Sequence, residues 1–201
     1  MLGEGPVYAA MAHPWYRATI AVVSGLGLPD WAIGAGFVRN AVWDRLAGLS
    51  RTPLADVDVL YFDRADPGGR RERMLERRLT AALPRPWSVR NQARMHRRNG
   101  DRPYRSTADA MRFWLETPTT VAIRVDGAGR LRLIAPHGLH DLLAMRVRPT
   151  PAGRAKSLLY AKRVNAKNWQ ARWPGLVMEM PRCLDHDAMA LRSDRLSAPT
   201  P

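Results

Sequence analysis

The chain has 201 residues, of which 46% are hydrophobic and 25% charged, so it is long enough for one well-packed domain and is not a wholly disordered chain. Its 32 lysines and arginines against 18 acidic residues give a formal net charge of +14, which favours polyanionic partners, although compositional drift toward arginine produces the same excess. No apolar stretch is long enough for a membrane span, no secretory signal is visible and Cys183 is the single cysteine, so we expect a reduced, cytoplasmic protein.

Hydrophobic periodicity and the positions of glycine and proline predict alternating helices and strands. The first half is predicted to contain a helix over 8–27, a short buried strand at 31–34, a helix over 37–46, a strand at 56–63 and a helix over 70–83. The second half is predicted to contain a strand at 87–90, a helix over 107–115 with Ser106 or Thr107 as its cap, a β-hairpin of 119–126 and 130–135, a helix over 138–145 and a long helix over 151–166. This order predicts an α+β (α/β-like) fold with a mixed β-sheet and flanking helices.

Two regions are expected along the chain. Residues 1–150 are expected to form one domain that includes the N-terminal helix. Residues 151–201 are expected to form a helical C-terminal extension that packs on the same domain. The last residues, 196–201, are small and proline-rich, and we expect them to fray.

The segment Asp56-Val-Asp-Val-Leu-Tyr-Phe-Asp63 is the clearest strand in the sequence and contains its most informative residues. Side chains alternate along a strand, so Asp56 and Asp58 point to one face while Val57 and Val59 point to the other. Neighbouring carboxylates repel each other unless they share a proton or a divalent cation, and Mg²⁺ (or Mn²⁺) favours one or two carboxylates completed by substrate phosphates. The pattern indicates a metal site, and a solvated pair of aspartates at a strand start is the alternative.

A glycine-rich turn precedes this strand. Ile33-Gly-Ala-Gly-Phe-Val-Arg-Asn40 is predicted to run from a short strand through the turn into a helix. Glycines allow the backbone to approach a phosphate closely, and the start of a helix offers free N–H groups at the positive end of its dipole. A lone turn of this kind is weak evidence, but a turn followed by a strand bearing Asp-x-Asp is much stronger evidence for a phosphate site.

Together, Gly34-Ala-Gly-Phe-Val-Arg-Asn40 and Asp56-Val-Asp58 resemble the signature of the DNA-polymerase-β-like nucleotidyltransferase fold. The resemblance is greatest to the version in tRNA CCA-adding enzymes and poly(A) polymerases. Over residues 28–176 the chain is similar to a bacterial family of uncharacterised nucleotidyltransferase-like proteins. The matching stretches include Val89-Arg-Asn-Gln-Ala-Arg-Met-His96, Tyr104-Arg-Ser-Thr107, Ala135-Pro-His-Gly-Leu139 and Lys167-Asn-Trp169.

The resemblance implies a reaction and a role for each matching residue. The expected reaction is attack of an acceptor hydroxyl on the α-phosphate of an NTP with release of pyrophosphate, the acceptor being unknown and RNA one candidate. Ala35 stands where the superfamily often has glycine. The residues implied to bind nucleotide are Gly34, Ala35, Gly36, Arg39 and Asn40, and the catalytic carboxylates implied to bind Mg²⁺ or Mn²⁺ are Asp56 and Asp58.

Two further segments offer polar and basic side chains. Asn91 and Arg94, where the chain leaves a strand, are candidates for contacts to nucleotide or acceptor phosphates, and a polar turn with internal hydrogen bonds is the alternative. A basic stripe at near-helical spacing in the extension suits phosphates, although such a stripe is usually a solvated helix face. It consists of Lys156, Lys162, Arg163 and Lys167.

Active members of the superfamily usually have a third carboxylate on a later strand, beside the first two. At that place this chain is expected to have Arg90 or Asn91, and neither replaces an anionic ligand. Of the nearby acids Asp63, Glu116 and Asp126, we prefer Glu116 as the third catalytic carboxylate. Without a third acid, the alternative is a catalytically incomplete protein of this fold that binds nucleotide or RNA, and a simple RNA-binding protein is a further hypothesis.

Overall fold

The structure, a computed structural model, describes residues 3–66 and 68–180; Cys183 and the predicted frayed tail at 196–201 lie outside this part of the chain. The helices are α1 (Gly5–Met11), α2 (Pro14–Ser24), α3 (Gly36–Leu46), α4 (Gly69–Ala82), α5 (Gln92–Asn99), α6 (Thr107–Met111), α7 (His140–Leu143), α8 (Pro151–Ala155) and α9 (Ser157–Lys167). Short 3₁₀ helices cover Thr117–Thr119 and Trp169–Ala171. The strands are β1 (Ala32–Gly34), β2 (Val57–Tyr61), β3 (Trp87–Asn91), β4 (Ala122–Val125), β5 (Leu131–Ile134), β6 (Arg146–Val147) and β7 (Val177–Met178). None of the helices described combines the length and the apolar character that a membrane crossing requires.

Five strands form one mixed sheet in the order β3-β2-β1-β4-β5. β2 and β3 run parallel, and the other three neighbouring pairs are antiparallel. β6 and β7 form a separate parallel pair. The α+β fold with a mixed sheet and flanking helices is therefore confirmed, and the predicted late hairpin is the antiparallel pair of β4 and β5.

Alternation along β2 sorts its side chains onto two faces of the sheet. Val59 and Tyr61 are fully buried in the main hydrophobic core, which also contains residues of α1 to α4. On the opposite face, Leu60 packs with Met111 of α6 in a second, smaller cluster. Asp58 lies on that second face and is only partly buried. The Asp58 carboxylate therefore lies on the face of the sheet that has the smaller hydrophobic cluster.

Residues 151–180 pack into the same core as the sheet. Tyr160 of α9 and Trp173 are both buried with the residues of the main core. The ring of Trp173 lies 5.1 Å from that of Trp43, centroid to centroid, and its Nε1 donates a hydrogen bond of 3.0 Å to Asp44 Oδ1. The described part of the C-terminal extension therefore shares its core with the sheet.

The prediction of one helix over 8–27 was wrong, because the chain forms α1 and α2 with a break between them. Pro14 has no N–H group to continue a helix, and it occupies the first position of α2. His13 is extended, and its Nδ1 accepts a hydrogen bond of 3.1 Å from Trp15 N. Proline and a side-chain cap thus start a new helix at this point.

The prediction of one long helix over 151–166 was also wrong. The backbone leaves the helical region at Lys156, where φ is −112° and ψ is 47°. Its Nζ donates hydrogen bonds to Asn99 O at 2.7 Å and to Asp101 Oδ1 at 2.5 Å. The break separates α8 from α9 at the residue that is tied to the loop after α5.

Three other predictions need smaller corrections. The segment after Asn91, for which a polar turn was one interpretation, is the helix α5; the Asn91 side chain caps it by accepting a hydrogen bond from Ala93 N at 3.1 Å. The helices predicted over 107–115 and 138–145 are the shorter α6 and α7. Ser106 is confirmed as the cap of α6, since its Oγ accepts from Asp109 N at 3.0 Å.

Candidate functional site

Three neighbouring strands place the glycine turn and an aspartate side by side. Gly34, the last residue of β1, pairs with Asp58 across the antiparallel β1–β2 ladder. On the other side of Asp58, Ser88 is its partner in the parallel β2–β3 ladder. Asp56 lies just before β2 and is exposed. The end of β1 therefore brings the turn directly beside the predicted carboxylate pair.

The turn itself has an unusual backbone. Ala35 has φ 54° and ψ −125°, a region that favours glycine, which agrees with the glycine often found here in the superfamily it resembles. Its N–H donates to Val121 O at 3.0 Å, and its carbonyl accepts from Arg39 N at 3.0 Å. No side chain caps the start of α3, so the first N–H groups of this helix have no side-chain acceptor.

The two glycines of the turn differ in what surrounds them. A Cβ at Gly34 would lie 3.2 Å from the Ala122 Cβ and 3.3 Å from the Trp114 ring, which is closer than ordinary contact. A Cβ at Gly36 would meet its nearest neighbour, the Arg39 side chain, at 3.5 Å. Packing of the sheet therefore requires glycine at 34, while position 36 has room for a methyl group.

Two clefts flank the turn and the aspartate pair. The first, of about 580 Å³, is lined by Gly36 and Asp56 and is called the Asp56 cleft. The second, of about 770 Å³, is lined by Ala35 and Asp58 and is called the Asp58 cleft. The polar residues lining the Asp56 cleft include Arg39, Asn40, Lys167 and Arg172, and those lining the Asp58 cleft include Ser88, Arg90, Glu116, Thr119, Lys162 and Arg163.

The electrostatics of the pair favour a bound cation. Burial, and next the charge of Asp56, raise the pKa of Asp58 to about 6, while a hydrogen bond from Ser88 and the nearby charges of Arg163 and Lys167 act in the opposite direction. A carboxylate with a raised pKa is costly to keep ionised, and a divalent cation held by Asp56 and Asp58 would lower that cost. Mg²⁺ and Mn²⁺ need one or two protein carboxylates completed by substrate phosphates, and Asp56 and Asp58 offer two. No group of three or more histidine, cysteine or acidic residues is placed to hold a metal within 3–66 and 68–180.

Arg39 places a buried positive charge behind the turn. Its guanidinium donates to Asn40 Oδ1 at 2.8 Å and to Thr119 Oγ1 at 3.0 Å. It lies over the rings of Trp169 and Trp43, at 4.6 and 5.2 Å from their centroids. Burial lowers the pKa of Arg39 to about 10, which still leaves it charged at neutral pH. Arg39 and Asn40 therefore line the Asp56 cleft as a hydrogen-bonded unit.

Glu116 lies in the Asp58 cleft, where a third carboxylate was expected. It is 1% exposed, and its Oε1 accepts a hydrogen bond of 2.6 Å from Arg163 Nε. Its Oε2 is buried without a partner. Asp63 is bound to Arg71 at 2.8 Å, and Asp126 belongs to the β4–β5 turn. Of the three acids considered, Glu116 is thus the one that lines a cleft with Asp58.

The prediction that Arg90 or Asn91 lies beside the aspartates was wrong, because the register of β2 and β3 places another residue there. The residue next to Asp58 is Ser88, while Arg90 pairs with Leu60 further along the same face. Asn91 pairs with Tyr61, which faces the main core. Sequence reasoning missed Ser88 because the register between two parallel strands is not visible in either strand alone.

Asn91 and Arg94 form hydrogen bonds with other residues of the protein. Asn91 is fully buried, and its amide donates to the carbonyls of Asp63 and Asp66 at 2.7 Å each. Arg94 Nε donates to Glu72 Oε1 at 2.8 Å, and its other end forms an ion pair with the same carboxylate. Neither residue lines the Asp56 cleft or the Asp58 cleft, and both brace the loop after β2 and α4, so their nucleotide contacts stay a prediction.

Other lining residues were also missed. Trp169 stacks on Arg39, and Arg172 lines the Asp56 cleft beside it. Thr119, in the 3₁₀ helix before β4, accepts a hydrogen bond from Arg39. The sequence around these residues gives little indication that they lie near the turn, because they are 80 or more positions away from it along the chain. The basic stripe, by contrast, was visible, and three of its residues line the Asp58 cleft: Lys156, Lys162 and Arg163.

Comparison with known proteins shows the family and the fold of this chain. A family model described as Nucleotidyltransferase matches residues 21–178, so the chain belongs to the nucleotidyltransferase family. A solved structure described as revealing a CCA-adding enzyme head domain is 31% identical, with a TM-score of 0.78 over 89% of this chain and 96% of that one. A tRNA-processing enzyme complex is 18% identical, with a TM-score of 0.51 over 86% of this chain and 46% of that one, which shows the fold alone. No curated protein matches the chain. The resemblance described from the sequence is confirmed.

Proposed function

We propose that the protein is a divalent-metal-dependent nucleotidyltransferase that transfers a nucleoside monophosphate from an NTP to an acceptor hydroxyl. The register that sets Gly34 beside Asp58 is the main support, because it joins a phosphate-binding turn to a carboxylate pair at one end of the sheet. Membership of the nucleotidyltransferase family supports nucleotidyl transfer in general. In the reaction, the acceptor oxygen bonds to the α-phosphorus, the α–β phosphoanhydride breaks, and pyrophosphate and the hydroxyl proton leave.

The residues of the turn and the pair supply complementary charges. Asp56 and Asp58 would hold Mg²⁺ or Mn²⁺, which when bound neutralises phosphate charge and orients the reacting oxygens. The uncapped start of α3 offers N–H groups to the triphosphate, and buried Arg39 adds a fixed positive charge to the Asp56 cleft. Catalysis of this kind depends on positioning and charge neutralisation more than on covalent participation of the protein.

RNA is the first acceptor to test. The net charge of +14 favours a polyanion, and the 31% identical structure is described as a CCA-adding enzyme head domain. The Asp58 cleft combines basic side chains with the rings of Phe113 and Trp114, which suits a single-stranded end. Both clefts reach the carboxylate pair, so an acceptor end that enters the Asp58 cleft would meet the nucleotide phosphates at the pair.

One observation favours a second candidate function. Ser88, which is not an acid, is the residue beside Asp58 in the β2–β3 ladder, and no group of three metal-binding side chains is present in the described residues. With two carboxylates alone, the site would bind a nucleotide or RNA without transferring it. Binding and turnover therefore have to be measured separately.

The test begins with NTP binding by calorimetry, with and without Mg²⁺ or Mn²⁺. Wild type is compared with the double variant D56N/D58N, and Glu179→Gln, an exposed acid outside both clefts, is the matched control. We expect metal-dependent binding in wild type and control and its loss in the double variant. Binding indifferent to both metal and mutation would exclude this site. Pyrophosphate release with short RNA acceptors then separates the transferase from the binding protein.

A further inference from the structure

Arg163 of α9 is held by one edge of its guanidinium. Its Nε donates a 2.6 Å hydrogen bond to Glu116 Oε1, and no other hydrogen bond from Arg163 is present in the described part of the chain. The side chain is 40% exposed and lines the Asp58 cleft. Its Nη1 and Nη2 groups thus remain available to a ligand in that cleft.

The surroundings of Arg163 favour an anionic ligand. Lys162 and Arg98 line the same cleft, and neither forms an ion pair with any residue that the structure describes. Arg163 also lies near enough to Asp58 to lower the pKa of that carboxyl, against the larger effects of burial and of Asp56. The free edge is therefore close to where a phosphate bound at the aspartate pair would lie.

Glu116 is better suited to hold Arg163 than to bind a metal. It is 1% exposed, one oxygen is taken by the arginine, and the other is buried without a partner. To bind a metal ion, Glu116 would have to give up its contact with Arg163 or share its negative charge between the arginine and the metal ion. A buried carboxylate that fixes the Nε edge leaves the opposite edge preorganised for two parallel hydrogen bonds to an oxyanion.

We propose that Arg163 binds a phosphate group of the nucleotide in the Asp58 cleft through Nη1 and Nη2, and that Glu116 is the positioning residue that orients it. This rests on the proposed function, since the phosphate is that of the NTP. It assigns Glu116 a different role from the third catalytic carboxylate expected from the sequence.

The test measures binding of inorganic tripolyphosphate by calorimetry in the presence of EDTA, so that the metal site does not contribute. Arg163→Lys keeps the charge without the fork, and Glu116→Gln keeps an acceptor for Nε without the charge. Since removing Arg163 alone leaves a buried carboxylate unpaired, the alanine variant is made as R163A/E116Q. Arg154→Ala on α8, an exposed arginine that lines neither cleft, is the control for loss of one positive charge.

We expect R163A/E116Q and Arg163→Lys to weaken tripolyphosphate binding about tenfold, the effect of one charge-assisted hydrogen-bonded contact. Arg154→Ala should stay within about threefold of wild type, while Glu116→Gln, which weakens the contact that orients Arg163, should weaken tripolyphosphate binding less than R163A/E116Q does. Equal binding by all variants would overturn the proposal. So would loss of Mg²⁺-dependent NTP binding in Glu116→Gln with unchanged tripolyphosphate binding in R163A/E116Q, because Glu116 would then be a metal ligand. Failure of the proposed function is recognised separately, in D56N/D58N with metal present.

Discussion

Gly34 lies directly opposite Asp58 in the antiparallel pair of β1 and β2. The glycine is the last residue before the turn that opens α3, and the aspartate is the more buried member of the carboxylate pair. Cross-strand partners keep their spacing as long as the ladder is intact. The distance between the turn and the carboxylate is therefore set by backbone hydrogen bonds of the sheet, which is the rigid support that a positioned phosphate and cation require.

The two glycines of the turn should respond differently to alanine. Gly34→Ala should destabilise the fold by about 1–3 kcal/mol, because its methyl group would press on backbone, Ala122 and Trp114. Gly36→Ala should leave stability unchanged or raise it by about 0.5–1 kcal/mol, because it removes glycine from the first turn of a helix where only ordinary contacts surround it. Denaturant unfolding measures both.

The same pair of variants separates folding from ligand binding. Since Gly36 lines the Asp56 cleft, its alanine variant should fold normally and bind NTP more weakly than wild type. Normal NTP binding by Gly36→Ala would show that the phosphates do not approach this residue. Ala35→Gly is the control for the turn itself, because the backbone there already favours glycine.

The raised pKa of Asp58 has a definite consequence for stability. Its pKa is about 6, mainly through burial, against 3.8 as a free side chain, so the folded state binds the extra proton between those values. The free energy of unfolding therefore falls as pH rises from about 4 to about 6, and the cost persists above that. Asp58→Asn removes the ionisable group and should stabilise the metal-free protein by about 1–2 kcal/mol at pH 7.5, with no gain at pH 4.

Asp126 supplies a control of opposite sign. The backbone N–H of Arg130 and the side chain of Arg132, against a desolvation effect, hold the pKa of Asp126 well below its usual range. The stability it contributes is present at neutral pH and is lost as pH falls through that lowered value. Asp126→Asn should therefore lower the melting temperature at pH 7.5. If Asp58→Asn lowered the melting temperature at pH 7.5, this would contradict the prediction that ionised Asp58 destabilises the metal-free protein.

Ser88 offers a way to complete the carboxylate set. Ser88→Asp would place a third acid beside Asp58 in the β2–β3 ladder. We expect about tenfold tighter Mn²⁺ binding, because affinity for hard cations rises with the number of charged oxygen ligands, and a less stable metal-free protein, because three carboxylates repel. Calorimetry with Mn²⁺ measures the change, and Ser88→Asn is the neutral control of similar size. Unchanged Mn²⁺ affinity in Ser88→Asp would mean that the cation does not lie between these strands.

The central strands, the turn and the aspartate pair were predictable because their signals are local. Alternation defines the faces of β2, and glycine followed by an apolar helix defines the turn before α3. The helix break at Pro14 also has a local signal, since proline cannot continue a helix, but one helix over 8–27 was predicted there. The kink at Lys156 was not, because it accompanies a contact with Asp101, which lies 55 positions away.

The walls of the two clefts depend on pairings that no single segment reveals. Ser88 reaches Asp58 only through the parallel register, and Arg163 reaches Glu116 from 47 positions further along the chain. Charge and spacing identified Arg163 as part of a basic stripe without showing which carboxylate it meets. Residue types were thus predictable from the sequence, while their partners required the fold.

Trp173 tests whether the C-terminal region is an integral part of the domain. Trp173→Ala should lower the free energy of unfolding by about 3–5 kcal/mol, because a buried ring packed on Trp43 is lost. Trp173→Phe should cost less, about 1–3 kcal/mol, since it keeps an aromatic ring and loses mainly the hydrogen bond to Asp44. Leu158→Ala, at a side chain that is 83% exposed, should have almost no effect.

Unfolding followed by both fluorescence and circular dichroism should show one transition, since residues 151–180 share their core with the sheet. If residues 151–180 of Trp173→Ala instead unfolded in a separate, earlier transition, they would form an extension that folds independently of the sheet. The side of the Asp56 cleft that Trp169 and Arg172 form would then depend on that extension and not on the fold of the sheet.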